Sequence, residues 1–306
     1  MSPRKTPILL VTGCNGLLGQ KLCLEAAGDY RVVGLDRDER AAVPCDEFHS
    51  LDITDRDGVI EAVGTVSPET VINTAALTNV DACEKERDLA WAVNVDGVRH
   101  LMEGCRQAGA MMVQISSDYV FDGEKGPYGE EAEPHPLGFY GTTKLESERV
   151  LASGSLDWAV VRTNVLYGWA RNVRANFALW VITHLAAGKY IRVAIDQYGN
   201  PTLADNLAAG ILLLAGGRHR GLFHIAGADY MSRWAFALKI ARMFKLNHEL
   251  IAPVLSAQLS QRAPRPHWGG LRVDRIADRL DFEVAGVEKG LTLLRKHIPS
   301  GEMEGL

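Results

Sequence analysis

Short, unbroken apolar runs recur along the first half of the chain, and most are followed by a stretch with helical spacing. Ile8-Leu9-Leu10-Val11 is the first. It shows no apolar-polar alternation, which predicts a strand covered on both faces. Leu17 to Ala27 then reads as a helix, and Arg31 to Asp36 as a second strand ending in an acid. Further strands are expected at Phe48–Asp52, Val71–Ala75, Met111–Ser116 and Trp158–Arg162. Helical stretches are expected at Asp88–Ala108 and Phe139–Ala152. Strands alternating with helices at this spacing predict an α/β fold with a doubly wound parallel sheet and right-handed crossovers. After Thr163 the rhythm loosens. Helical segments near Asn176–Ala187 and Leu203–Ala215 surround the turn-rich Asp196–Pro201, Leu222–Ile225 reads as one more buried strand, and Ser232 can cap a helix running to Phe244.

The first strand runs into Thr12-Gly13-Cys14-Asn15-Gly16-Leu17-Leu18-Gly19. A glycine pattern between a strand and a helix can seat the pyrophosphate of a dinucleotide. Gly13 permits the tight turn, Gly16 lets the backbone approach the anion, and Gly19 allows close helix–strand packing. The exposed N–H groups and the helix dipole favour negative charge there. Asp36, at the end of the next strand, is placed to accept a hydrogen bond from the adenosine ribose 2′-hydroxyl, which favours NAD(H). Arg37 beside it can instead meet a 2′-phosphate, so NADP(H) stays open. The spacing is G-x-x-G-x-x-G, not G-x-G-x-x-G, and a structural turn without ligand is the plainer alternative. The sheet is thus expected to be Rossmann-type, with residues 1–165 and about 202–227 forming the dinucleotide-binding domain. Residues 166–201 and 228–306 are expected to form a smaller C-terminal substrate-binding lobe.

A second motif, Tyr140-Gly141-Thr142-Thr143-Lys144, places a phenol and an ammonium four residues apart, neighbours on one helix face. A nearby ammonium is expected to pull the phenol's pKa down from about 10, readying it to pass a proton. Alone the spacing arises easily by chance. Ser116-Ser117-Asp118 strengthens it, because these residues directly follow the fifth strand and emerge at the carboxyl edge of the sheet, where doubly wound folds bind ligands. A serine there can hold a substrate oxygen while Tyr140 supplies the proton; its plainer use is to satisfy loop backbone groups.

Composition narrows the class without changing it. With 306 residues, 47% hydrophobic and 23% charged, the chain can bury a sizeable core. A formal net charge of -5 gives no general attraction to nucleic acid or anionic membranes. Cys14, Cys23, Cys45, Cys83 and Cys105 are odd in number and lack a C-x-x-C, which fits a reducing cytoplasm. The apolar run after Met1–Pro7 is too short for a signal peptide, and the greasiest later stretch, Leu207–Ala215, is too short to span a bilayer. A cytoplasmic protein is expected. Its nine histidines form no ligand-spaced cluster, so no metal is expected. Whether the chain forms a homodimer is left open.

The chain resembles the extended short-chain dehydrogenase/reductases, and within them the dTDP-4-dehydrorhamnose reductase family. The likeness runs over nearly the whole length, through Asn73–Glu84, Val93-Asn94-Val95, Ser116–Gly123, Tyr140–Lys144, Asp196–Thr202 and Arg262–Pro266. Ser-Asp-Tyr-Val-Phe-Asp-Gly is its most specific part. The resemblance implies that Tyr140 is the acid, Lys144 its partner on the nicotinamide ribose, and Ser117 the carbonyl-orienting hydroxyl, where the family usually has threonine. Asp118 would be the neighbouring acid facing the sugar. Cofactor contacts would come from Gly13, Asn15, Gly16, Leu17, Leu18, Asp36, Arg37, Asp52, Ile53, Ala75, Ala76, Leu77 and Ser116, with Asn94 buried behind Lys144. Substrate contacts would come from Val80, Ser117, Asp118, Phe121, Asn164 and Arg265. Val165 departs from the pattern, since the rhamnose-pathway members commonly carry tryptophan there. The implied activity is NAD(P)H-dependent reduction of a nucleotide-linked 4-keto-6-deoxy sugar. The rival readings are a sugar-nucleotide epimerase or dehydratase with bound NAD, and a cofactor-binding regulatory subunit like the β-subunit of methionine adenosyltransferase.

Overall fold

The computed structural model describes residues 6–299. Residues 1–5, in the stretch read as lacking a signal peptide, and 300–306, at the end of the expected lobe, lie outside the described residues. The N-terminal part alternates as expected: β1 (Ile8–Thr12), α1 (Leu17–Ala26), β2 (Arg31–Asp36), β3 (Glu47–Ser50), α2 (Arg56–Val66) and β4 (Thr70–Asn73). Then come α3 (Val80–Lys85), α4 (Arg87–Trp91), α5 (Gly97–Ala108), β5 (Met111–Ser117), α6 (Phe139–Ala152) and β6 (Trp158–Thr163). The remainder comprises β7 (Leu166–Tyr167), α7 (Phe177–Ala186), β8 (Ile191–Ala194), β9 (Tyr198–Gly199), β10 (Thr202–Leu203), α8 (Ala204–Gly216) and β11 (Gly221–His224). It ends with β12 (Met231–Ser232), α9 (Arg233–Phe244), β13 (Ile251–Val254), α10 (Asp274–Leu280) and α11 (Val287–His297).

Seven parallel strands form the central sheet in the order β11-β6-β5-β4-β1-β2-β3. The unbroken apolar run of β1 now has its reason. Leu9 and Val11 face a core shared with α1 and α8, whereas Ile8 and Leu10 face the opposite core, shared with α2 and α5. With both faces covered, alternation has nothing to report. The chain leaves β1 for β2 on one side and reaches β4 on the other. That reversal of winding opens a crevice beyond the carboxyl ends of the strands.

A separate core holds the lobe together, with Phe236, Ile240, Val181, Leu185, Leu291 and Leu294 drawn from α9, α7 and α11. The chain does not divide there cleanly. β11 joins the main sheet beside β6, and Ile276 of α10 packs into the core under α1 and α8, returning the 274–280 segment to the sheet layer.

Two local differences from the sequence pattern matter for the site. The expected helix over 88–108 is three pieces, because a π-turn at Ala92–Asp96 separates α4 from α5. Helix α2 was not expected; Val59, Val63 and Val66 are its buried stripe, and the Asp55 side chain caps it through the Gly58 amide at 3.2 Å.

Glycine is required where α1 meets the first loop. Gly13 takes φ +67°, and a Cβ there would lie 2.6 Å from the Ala75 nitrogen. A Cβ on Gly19 would lie 2.2 Å from the Gly13 oxygen. Gly19→Ala is therefore expected to push α1 off the loop and cost about 1–3 kcal/mol, as overpacking typically does. Urea unfolding measures this, and an unchanged midpoint would show that the loop yields freely.

Candidate active site

A cavity of about 780 Å³ fills the crevice at the carboxyl edge of the sheet. Segments following β1, β2, β3, β4, β5 and β6 all contribute to its wall. Gly13, Asn15, Gly16, Leu17 and Leu18 line one end, with Asp36, Arg37, Asp52 and Ile53 beside them. Ala75, Ala76, Leu77 and Val80 follow, and Ser116, Ser117, Asp118, Tyr140, Lys144, Asn164 and Val165 line the other end.

The glycine end fits a dinucleotide. Helix α1 begins at Gly16 with no side-chain cap, so its first amides are free to meet an anion. A Cβ on Gly16 would meet only the Gly13 oxygen, at 3.2 Å, and otherwise stand in open space where a ligand can approach. Asp36 accepts from the Asn15 amide at 3.0 Å, which fixes its carboxylate at the tip of β2. The Asn15 side chain is turned away from ligand duty: it binds Asp38 at 3.0 Å, the Arg40 carbonyl at 2.8 Å and the Ala42 amide at 2.8 Å. Asn15 thus reaches the cavity while its amide group pins the loop after β2.

At the other end, a buried polar ladder holds the strand tips. Thr12 Oγ1 donates to Asn73 Oδ1 at 2.6 Å, Asn73 Nδ2 to Gln114 Oε1 at 2.7 Å, and Gln114 Nε2 to the Ile115 carbonyl at 3.0 Å. That carbonyl also accepts from Lys144 Nζ at 3.0 Å. One turn further along α6, Glu148 accepts from Ser116 Oγ at 2.5 Å and pairs with Arg162 at 2.6 Å. Asn94, presented by the π-turn, spans the Leu77 amide and carbonyl at 2.8 and 3.1 Å and donates to Thr143 at 3.0 Å. It does not line the cavity; it ties α6 to the loop after β4. π-turns occur often at such positions.

The electrostatics correct one expectation. Burial raises the Tyr140 phenol well above its ordinary pKa, and the neighbouring Ser117 hydroxyl pulls it only partly back. Lys144 does not lower it, because the ammonium is directed at the Ile115 carbonyl and its own pKa is depressed to about 8 by burial. A phenol that keeps its proton at neutral pH is in the state a proton donor requires. Burial also lifts Asp118 to about 6, against hydrogen bonds from the Gly270 amide at 3.3 Å and Ser117 Oγ at 3.1 Å. Asn164 Nδ2 donates to the same carboxyl group.

Two expected substrate contacts fall elsewhere. Phe121 is fully buried, stacked on Tyr128 with centroids 4.2 Å apart and covered by the Arg162 guanidinium at 5.0 Å. Its aromatic bulk was better used in the core. Arg265 pairs with Asp81 at 3.1 Å and stands behind the cavity wall. Conversely, Arg233 and the Asn172–Asn176 segment line the cavity and carry no motif that would single them out. Val165 lines it with φ +43°, a conformation costly for a β-branched residue.

Comparison with known proteins agrees with this fold. The model of the RmlD substrate binding domain matches residues 7–298. The chain belongs to the RmlD family. A dTDP-4-dehydrorhamnose reductase of Streptomyces griseus is 37% identical over 295 residues, covering 94% of this chain and 91% of the relative. The crystal structure of dTDP-4-dehydrorhamnose reductase from Bacillus anthracis in complex with NADP superposes with a TM-score of 0.87 at 29% identity, covering 95% of this chain and 99% of that one. A dTDP-4-dehydrorhamnose reductase structure from Clostridium acetobutylicum gives 0.85 at 30% identity, covering 94% and 98%. Among the described residues, no helix of this RmlD family member is long and apolar enough to cross a membrane.

The Asp118 environment has a consequence for stability. Its carboxyl goes from an ordinary 3.8 to about 6 on folding, so the fold favours the protonated form. That contribution is complete below about pH 4 and is lost as pH rises through about 6. The stability of the unmodified protein relative to Asp118→Asn is expected to decline across this window. Urea unfolding at a series of pH values checks it, and a flat difference would refute the assignment.

Proposed function

We propose that the chain is an NAD(P)H-dependent reductase that converts the 4-keto group of a nucleotide-linked 6-deoxy sugar to an alcohol. The observation that carries this is one cavity containing Ser117, Tyr140 and Lys144 at one end and an uncapped helix N-terminus with an acid-tipped strand at the other. The names of the relatives support the substrate class.

Gly13, Gly16, Leu17, Leu18 and the Asn15 backbone hold the cofactor pyrophosphate, Asp36 and Arg37 face the adenosine ribose, and Asp52 and Ile53 flank the base. Ala75, Ala76, Leu77 and Ser116 border the path toward Lys144. When bound, the reduced nicotinamide supplies the reducing equivalents for the sugar carbonyl. Ser117 Oγ orients the carbonyl oxygen, and Tyr140 gives its proton to that oxygen as negative charge develops there. Lys144, anchored by Ile115, holds a ribose hydroxyl and leaves Tyr140 to give up its proton to the substrate oxygen. These donors are in place before reaction, so little reorganisation is required. Asp118, Asn164, Val80 and Val165 shape the sugar end, and Val165 leaves room that a larger side chain would fill.

Tyr140→Phe removes one hydroxyl and keeps the ring edge-on to Tyr119, with centroids 5.6 Å apart. Folding and cofactor binding are expected to survive while kcat falls roughly 10²–10⁴-fold, the usual worth of a positioned proton donor. Single-turnover oxidation of NADH or NADPH by a nucleotide-linked keto sugar measures this. Near-full rate in the variant would defeat the mechanism, and absence of net cofactor consumption by the unmodified protein would favour an epimerase or dehydratase.

The finer cofactor preference rests on Asp36. A carboxylate facing the 2′-position accepts from NADH's hydroxyl and repels the phosphate of NADPH. The unmodified chain is therefore expected to bind NADH more tightly, and Asp36→Ala to shift preference toward NADPH. Calorimetry showing NADPH bound at least as tightly by the unmodified chain would transfer the decision to Arg37.

A further inference from the structure

Arg233 is the first residue of α9 and reaches from the lobe into the cavity, opposite the sheet edge. Helix α9 is already capped, since Ser232 accepts from the Ala235 amide at 3.1 Å, and the Arg233 amide donates to the Gln197 carbonyl at 2.9 Å. The backbone is satisfied; the guanidinium is not. Among the described residues its guanidinium has no hydrogen-bond partner and no carboxylate within 4.0 Å, and it lies over the face of Phe177 at 5.1 Å. The nearby Asp118 carboxyl lies outside ion-pair reach and is occupied by Asn164, Gly270 and Ser117. Arg265, the neighbouring guanidinium, is neutralised by Asp81 at 3.1 Å and repels Arg233.

A half-buried guanidinium offers five N–H donors in a planar fork that matches phosphate oxygens, and holding it unpaired costs free energy that an anionic ligand would recover. The cofactor's pyrophosphate already has its seat at α1, at the far end of the cavity. The other anion that the reading above brings to this site is the diphosphate joining sugar to nucleoside. We propose that Arg233 is the residue that recognises the diphosphate of the nucleotide-sugar substrate. The inference rests on the nucleotide-sugar reading and adds to it a specific anion contact supplied by the lobe. Cofactor and substrate would thus bring their negative charges to different elements of the same cavity, α1 and α9.

The test is calorimetric titration of nucleoside diphosphates (dTDP, UDP and GDP), with the parent nucleosides alongside, into the NADH-loaded protein. The unmodified protein is expected to bind at least one diphosphate more tightly than its nucleoside. Arg233→Gln is expected to weaken that diphosphate roughly ten- to hundredfold, the range for a lost charge-assisted hydrogen bond, with nucleoside and NADH affinities unchanged. Arg233→Lys keeps the charge without the fork and should recover part of the loss. In steady state, Arg233→Gln should raise KM for the keto sugar far more than it lowers kcat. Undiminished diphosphate binding by Arg233→Gln overturns the inference and leaves the reductase reading standing. Failure of every diphosphate to bind the unmodified protein overturns the nucleotide-sugar reading itself. If Arg233→Gln does not retain NADH, Arg233→Lys decides: diphosphate affinity equal to the unmodified protein's refutes recognition by the guanidinium fork.

Discussion

A buried ammonium fixes the geometry of this site. Lys144 lies at the carboxyl edge of the sheet, nearly excluded from solvent, and its hydrogen bond to the Ile115 carbonyl joins α6 to β5. Taking such a charge out of water is costly, so the surroundings must compensate. They do so in two directions. Along the strand tips, Gln114, Asn73 and Thr12 orient the edge that presents the carbonyl. Along the helix, Glu148 supplies negative charge one turn away while being held by Arg162 and Ser116. Moving α6 along its axis would break the Lys144–Ile115 bond and the Glu148 contacts with Ser116 and Arg162. The Tyr140 hydroxyl therefore stays at one height above Ser117.

Burial, more than pairing, sets the protonation states. Desolvation moves Tyr140 and Asp118 up and Lys144 down, in each case toward the neutral form. The same cavity is electrostatically divided along its length. Backbone amides at the start of α1 provide positive potential at one end without a titratable group, while Arg233 provides a full charge from the lobe. A dinucleotide and a nucleotide sugar carry their anionic linkages in their middles and their reacting groups at their ends. Anion contacts on two different elements, as proposed for α1 and Arg233, would leave both reacting ends free to reach Tyr140.

Much of this was readable from the chain because it depends on local or strictly periodic constraints. An apolar run without alternation, as in Ile8–Val11, admits few arrangements other than a strand covered twice. Gly13 and Gly19 mark places where a Cβ would collide with backbone, so the loop's shape is written in the absence of side chains. Tyr140 and Lys144 share a face by helix geometry alone. Helix α2 was missed, although Val59, Val63 and Val66 stand at helical spacing after the capping Asp55.

What the sequence could not carry were properties that arise only when distant segments meet. The pKa of Tyr140 depends on how completely the loop after β5, α3 and α4 exclude water, which no four-residue spacing encodes. The π-turn at Ala92–Asp96 is a compromise between two helices that pack on different neighbours, and only that packing brings Asn94 between Leu77 and Thr143. Phe121 sits in a highly specific motif, yet Tyr128 and Arg162 claim its ring for the core. Arg233 reads in the sequence as an ordinary helical arginine; it becomes an unpaired charge in a cavity only because α9 is held against the lobe core with its first turn toward the sheet. The chain by itself determined the sheet, the glycine loop and the tyrosine–lysine face. Tertiary packing decided which charges are buried, which are paired, and which remain free to meet a ligand.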